Sequence, residues 1–191
     1  MLLSDIYHAS MFLNGSMSCP ICRPIKGLVT RELGTGKKSC PVCQGLGSTK
    51  DIEWALRSED ELVPRLWIAG WDAPGGPFKN KTEVDLLIDM AGSGPKPDSG
   101  EWIVNSLNDN QVTEEDLLIF HKATISAYKV WEAGGTVMLR CRAGLNRSGF
   151  VAAMTIMASG KPVEQTVKDM RKKRSPYVLH NPTYLAYLLE L

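Results

Sequence analysis

Cys141, Arg147 and Ser148 belong to one short stretch, Cys141-Arg142-Ala143-Gly144-Leu145-Asn146-Arg147-Ser148-Gly149, whose residue types and spacing suit the chemistry of a phosphoryl group. A thiol precedes a glycine-bearing turn in which successive backbone N–H groups can converge on an anion. An arginine closing the turn brings a planar fork of donors matched to phosphate oxygens. A loop of this kind binds an oxyanion and holds a nucleophile beneath it. The thiol must be a thiolate to attack, and converging N–H groups, a helix N-terminus and a guanidinium all favour that anion.

The other four cysteines form two pairs, Cys19-Pro20-Ile21-Cys22 and Cys40-Pro41-Val42-Cys43, separated by 17 residues. Paired CxxC knuckles at such a spacing are the pattern of tetrahedral zinc held by four thiolates. Two disulfides or a redox dithiol are the alternatives, and both fit poorly beside a reactive Cys141, which needs a reducing compartment. A shell of four thiolates leaves no open coordination position, so the zinc is expected to be structural and unnecessary for catalysis. Metal binding would supply most of the folding energy of so small a module. Its second knuckle, running on through Gln44-Gly45-Leu46-Gly47, resembles the CxxCxGxG repeat of the zinc region of J-type co-chaperones.

Strands and helices must position the loop. Thr136-Val137-Met138-Leu139-Arg140-Cys141 is an apolar run expected to be a buried strand delivering the cysteine. The segment from about 147 to 159 is apolar on most sides and predicts a central helix. Upstream, Arg65–Gly70, Val84–Met90 and Trp102–Leu107 read as strands, with a Pro/Gly loop over Asp72–Phe78. Thr113 followed by Glu114-Glu115-Asp116 predicts a capped helix running to about Ala133 and stopping at Gly134-Gly135. Pro162 is expected at the first position of another helix, with Val163, Thr166, Val167 and Met170 on one face. Asn181-Pro182 should start a terminal helix packed through Tyr184, Leu185, Leu188 and Leu189. Alternating strands and helices predict an α/β fold with a central sheet flanked by helices. The chain divides into residues 1–55, carrying the zinc-ribbon-like module, and a domain over 56–191.

From about residue 62 onward the chain resembles the cysteine-dependent phosphatases of the protein tyrosine phosphatase superfamily, most closely the compact dual-specificity branch. The resemblance rests on Arg140-Cys141 through Gly149, on Asp109, and on the run Arg171-Lys172-Lys173-Arg174-Ser175-Pro176. It implies hydrolysis of a phosphomonoester through a phosphocysteine, with a phosphorylated protein as substrate. Cys141 would be the nucleophile, and Arg142, Ala143, Gly144, Leu145, Asn146 and Arg147 the phosphate-binding loop. Asp109, 32 residues before the cysteine, would be the general acid, and Ser148 would hydrogen-bond the sulfur. Arg140 stands where the family usually has histidine, which leaves the loop's reactivity open to retuning.

Other readings of the same residues remain. Asp109 lies between Asn108 and Asn110 and suits a turn, leaving Asp89 or Asp72 as alternative acids. The basic run 171–174 suits a solvated helix end as well as a substrate patch. His8, His121 and His180 read as structural, and Trp67, Trp102 and Trp131 as core. Arg140 and Arg142 could serve a polyanionic substrate, an RNA 5′ end or a phosphoinositide. A zinc-ribbon adaptor with a catalytically weak phosphatase-like domain is the reading from outside catalysis, and the module could contact protein or nucleic acid. The 191 residues carry a net charge of +1 and 43% hydrophobic residues, a balance that argues for a packed core and against a polyanion-binding surface as a whole. No apolar run is long enough to span a bilayer, and Met1-Leu2-Leu3-Ser4-Asp5 does not open a secretory signal, so a cytoplasmic protein is expected.

Overall fold

The computed structural model describes residues 59–73, 76–77, 80, 82–92, 94–109 and 112–191. The expected zinc module on Cys19, Cys22, Cys40 and Cys43 lies outside these residues. The strands are β1 (Glu59–Val63), β2 (Leu66–Ala69), β3 (Asp72–Ala73), β4 (Gly76–Pro77), β5 (Leu86–Asp89), β6 (Glu101–Val104) and β7 (Val137–Arg140). The helices are α1 (Glu114–Glu132), α2 (Arg147–Ala158), α3 (Val163–Lys173) and α4 (Pro182–Glu190). Strands β2, β7, β5 and β6 run parallel, and β1 closes one edge antiparallel to β2, in the order β1-β2-β7-β5-β6.

Side-chain alternation along the strands sorts the sheet into two faces. Leu66, Ile68, Leu86, Ile88, Val137 and Leu139 point to one face and share a core with Phe120, Ala123, Phe150, Val167, Met170, Tyr184 and Leu188 from the four helices. The other face carries the smaller cluster of Ala69, Val84, Leu87 and Met138, with Trp67 and Trp102 against it. Helix α2 is the hub: every residue from Arg147 to Ile156 is buried, and it packs against α1, α3, α4, β2 and β7.

Most local signals act as their chemistry dictates. Thr113 caps α1 in a reciprocal box, its Oγ1 accepting from the Asp116 N–H at 3.1 Å while Asp116 accepts from the Thr113 N–H at 3.0 Å. Asn181 caps α4 by accepting the Thr183 N–H at 3.0 Å, with Pro182 in the first turn. Pro162 is displaced by one position from the expectation. Its ψ of 146° is extended, so it is the N-cap rather than the first helical residue. Leu189 is 52% exposed, because Tyr184 and Leu188 already occupy the core-facing stripe of α4. The expected loop over Asp72–Phe78 contains a short antiparallel pairing, Asp72 with Pro77 and Ala73 with Gly76. Strand β1 was not expected: its acidic sequence suits an edge, where charge discourages further pairing.

In register, Arg140 of β7 lies between Ala69 of β2 and Asp89 of β5. Its side chain therefore meets Asp89 on the face away from the helices, Nε to Oδ2 at 3.1 Å, both groups at most 1% exposed. Asp89 also accepts the N–H groups of Ala91 (2.9 Å), Gly92 (3.2 Å) and Gly94 (3.0 Å). Arg140 donates to Asn80 Oδ1 at 3.3 Å and to the Pro95 carbonyl. The ion pair thus pins Ala91, Gly92, Gly94 and Pro95 to the sheet. A buried pair so fully bonded is costly to break from one side, because the surviving charge is left without compensation. Arg140→Ala is expected to destabilise the domain by about 3–5 kcal/mol, and Arg140→Met with Asp89→Leu by clearly less. Denaturant midpoints of the two variants check this ordering.

Candidate active site

The chain leaves β7 into Cys141, which is 1% exposed. It then turns through Arg142–Asn146 into α2. The carbonyl oxygens of this turn are all engaged by donors of the surrounding scaffold. The Arg142 carbonyl accepts the Trp71 N–H at 3.0 Å, the Leu145 carbonyl the Leu179 N–H at 3.1 Å, and the Asn146 carbonyl the Phe150 N–H at 2.7 Å. The Ala143 and Gly144 carbonyls each accept from Arg174, both at 3.2 Å. In a trans peptide the N–H of the next residue points opposite to the carbonyl. With no cis bond among the described residues, the N–H groups of Ala143 to Arg147 therefore turn away from those anchors. Donors freed in this way at the N-terminus of α2 are the kind that can hold an anion.

Arg174 is the residue that sequence reasoning misread. It sits at the end of α3 as an apparent member of a solvated basic run, yet it is 2% exposed. Its guanidinium bridges the two loop carbonyls and Asp60 of β1, Nη1 to Oδ2 at 2.5 Å. Burial pulls its pKa below the ordinary arginine value, and Asp60 opposes that shift without cancelling it. Its neighbours are engaged too: Arg171 donates to the Val178 carbonyl at 3.0 Å, and Lys173 to the Leu62 carbonyl at 2.8 Å. The substrate-patch reading of this run does not hold for Arg174, which is withdrawn from solvent. The one sequence signal available was the guanidinium itself, whose rigid planar fork is matched to paired acceptors where lysine offers a point charge. Gly144 completes the fit: its φ is +67°, and a Cβ there would come within 2.4 Å of the Ala69 backbone.

Within the loop, Ser148 Oγ lies 3.2 Å from Cys141 Sγ. Arg147 is 6% exposed and donates from Nη1 to the Leu107 carbonyl at 2.6 Å. Its Nε is buried and has no hydrogen-bond partner among the described residues. An orphaned donor on a charged group is costly, and an oxyanion in the loop would satisfy it.

Asp109 follows β6 and lies at the mouth of a cleft of about 400 Å³ whose lining includes Ala91, Asn108, Arg142, Asn146, Arg147 and His180. Asn146 Nδ2 donates to Asp109 Oδ2 at 3.1 Å, and Asn181 Nδ2 donates to the Asp109 main-chain carbonyl at 3.3 Å. Although the residue keeps an exposed edge, the protein crowding its carboxylate displaces water and raises its pKa above the ordinary carboxylate range. Arg147, the Asn146 hydrogen bond, His180 and Asn181 oppose that shift. A carboxyl that holds its proton to higher pH is suited to general acid work.

The structure thus brings Asp109, Arg142, Asn146 and Arg147 to one cleft, with Cys141 and Ser148 buried against the same loop. Asp89, an alternative acid, is committed to Arg140 and three backbone N–H groups, and the Asp72 side chain lies outside what is described. Arg140 itself faces Asp89 and is withdrawn from the cleft, so it adds no charge for a polyanionic substrate. His180, expected to be structural, lines the cleft. His121 pairs with Tyr187 at 3.1 Å.

No family model matches the sequence, and no curated protein matches it either. Solved structures do share the fold. Human DUSP28 is 18% identical, with a TM-score of 0.56 over 69% of this chain and 90% of its own. A human tyrosine phosphatase-like serine/threonine/tyrosine-interacting protein is 17% identical, with a TM-score of 0.55 over 70% and 95%. OH1 from the Orf virus, a tyrosine phosphatase with triple substrate specificity, is 14% identical, with a TM-score of 0.54 over 74% and 92%. The chain therefore has the fold of dual-specificity-type phosphatases.

Because Arg174 orients two loop peptides, Arg174→Ala should lower turnover of an aryl phosphate by about 100-fold through misplaced donors. Arg174→Lys, which lacks the rigid planar fork that holds both carbonyls, should recover little. Steady-state kinetics with circular dichroism to confirm folding tests this.

Proposed function

We propose that this protein is a cysteine-dependent phosphomonoester hydrolase. The observation that carries the reading is the loop around Cys141, whose carbonyls are anchored outward and whose arginine keeps a buried Nε without a partner among the described residues. In the proposed reaction the Cys141 thiolate attacks phosphorus in line. The bond to the ester oxygen breaks, its electron pair goes to that oxygen, and Asp109 supplies the proton. Arg147 and the loop N–H groups stabilise the charge on the equatorial oxygens. Water then attacks the phosphocysteine, losing its proton to Asp109. The sulfur departs as a thiolate eased by the Ser148 hydroxyl.

The substrate we favour is a phosphorylated protein, phosphotyrosine above all, with phosphoserine and phosphothreonine also admitted. The cleft supports a second reading as well. Its described lining is largely polar and holds no Phe, Tyr or Trp, with Arg142 and Arg147 in it, which suits an RNA 5′ end or a phosphoinositide. Parallel assays with a phosphotyrosine peptide, 5′-triphosphate RNA and inositol lipids separate the two. The resemblance to a phosphatase-like interacting protein keeps an adaptor role in view, and a trapped phosphocysteine excludes it. We further propose that Cys19, Cys22, Cys40 and Cys43 hold one structural zinc outside the reaction. Metal analysis should find one zinc per chain, lost on Cys19→Ser. Among the described residues no helix is long and apolar enough to cross a membrane.

Cys141→Ser should abolish hydrolysis of an aryl phosphate while retaining oxyanion binding; normal turnover contradicts the proposal. Asp109→Asn should slow phenyl phosphate by about 100-fold or more and dinitrophenyl phosphate far less. Because a raised carboxyl pKa keeps the acid form to higher pH, the same variant should lose the fall in kcat that the parent shows as pH rises. Equal slowing of both esters removes Asp109 from the acid role.

A further inference from the structure

His180 enters the cleft from the segment between α3 and α4, and its hydrogen bonds fix its tautomer. Nδ1 lies 2.9 Å from the Tyr177 carbonyl, which only accepts, so Nδ1 carries the hydrogen and Nε2 is the acceptor. Nε2 lies 3.1 Å from Asn146 Nδ2. The same Nδ2 donates to Asp109 Oδ2 at 3.1 Å, while Asn146 Oδ1 accepts the Asn181 N–H at 3.2 Å. Asn146 therefore spends one amide hydrogen on the histidine and one on the carboxylate. Turned over, the amide would set its oxygen against the Asp109 carboxylate and its NH2 against the Asn181 N–H.

We infer that His180 is a positioning residue for Asp109, acting through Asn146: the ring's lone pair holds the amide in the one orientation that offers an N–H, rather than an oxygen, to the carboxylate. This rests on the acid role proposed for Asp109, but the amide orientation it requires is a property of the resting protein. The charged groups that face His180 are Asp109, which favours a cationic ring, and Arg171 from α3, which opposes it. Burial is the largest influence and lowers the pKa below the ordinary value of 6.5. The neutral, accepting ring is thus the form above that lowered pKa. As pH falls through it, Nε2 gains a hydrogen, the Asn146 bond is lost, and alignment of the acid is lost with it.

The inference is tested on the full chain with His180→Ala and His180→Gln, using phenyl phosphate and 2,4-dinitrophenyl phosphate across pH. His180→Ala should slow phenyl phosphate about tenfold or more and leave the dinitrophenyl ester within about twofold, since a good leaving group needs little acid. His180→Gln, whose carbonyl can accept from Asn146 and does not titrate, should restore most phenyl phosphate turnover and flatten the acidic limb of its profile. In parallel, with Asp109→Asn in place so that the carboxylate sharing this amide does not titrate, the Asn146 side-chain amide resonances should shift with pH where His180 is kept and not where His180→Gln is added. Equal slowing of both esters, an unchanged acidic limb in His180→Gln, or amide resonances indifferent to pH in Asp109→Asn each overturns the inference. The NMR readout decides even where His180→Ala fails to fold. It also separates this inference from the phosphatase reading: parent protein inactive on both esters, with the amide shifts intact, would sink the reaction and leave the Asn146 orientation standing.

Discussion

The site depends on where the carbonyl oxygens of residues 142–146 go. Left to themselves, peptide units in a tight turn have no reason to direct every N–H inward, and an anion cradle of that kind concentrates like dipoles. Here the opposite ends of the same peptides are held from outside, by Trp71, Leu179, Phe150 and the Arg174 fork. The inward donors are a consequence of outward acceptors. A buried carbonyl must find a partner, so satisfying those groups and orienting the cradle are one act.

Two buried arginines brace this arrangement from different directions. Arg140 fastens β7 to β5 and, with Asp89, pins Ala91, Gly92, Gly94 and Pro95, while Arg174 fastens the loop to β1 through Asp60. Each is costly to desolvate and each is compensated by a carboxylate, so the local charge of the frame stays close to neutral. That leaves Arg147, with its buried Nε lacking a partner among the described residues, as the guanidinium suited to an incoming anion, beside Arg142 in the cleft. Placing the cradle at the C-terminal ends of parallel strands and the N-terminus of α2 follows the general tendency of open α/β sheets to bind ligands there.

The parts legible from sequence are those set by local chemistry. The Thr113 box, the Asn181-Pro182 start, the apolar run into Cys141 and the apolar helix after it all carry their causes within a few residues. The thiol, Arg147, Ser148 and Asp109 were singled out by spacing alone, and the fold gathers them around one loop and its cleft. What escaped was set by long-range register. Arg140 was read as charge near the active loop, but alternation on β7 turns it to the opposite face, where Asp89 waits. Arg174 looked like a helix-end cation, because nothing local reveals that α3 delivers it beneath residues 143 and 144. His180 looked structural for the same reason: its partner Asn146 is 34 residues away in sequence. Strand β1 went unseen because an acidic edge lacks the apolar alternation that marks a half-buried strand.

If the N–H groups of residues 143–147 form a preset anion cradle, amide NMR of the full chain titrated with inorganic phosphate will show saturable downfield shifts of the Ala143, Gly144, Leu145, Asn146 and Arg147 backbone N–H resonances, joined by Arg147 Nε–H, with β1 and α4 amides little moved. Phosphate that binds while those loop resonances stay in place would contradict it.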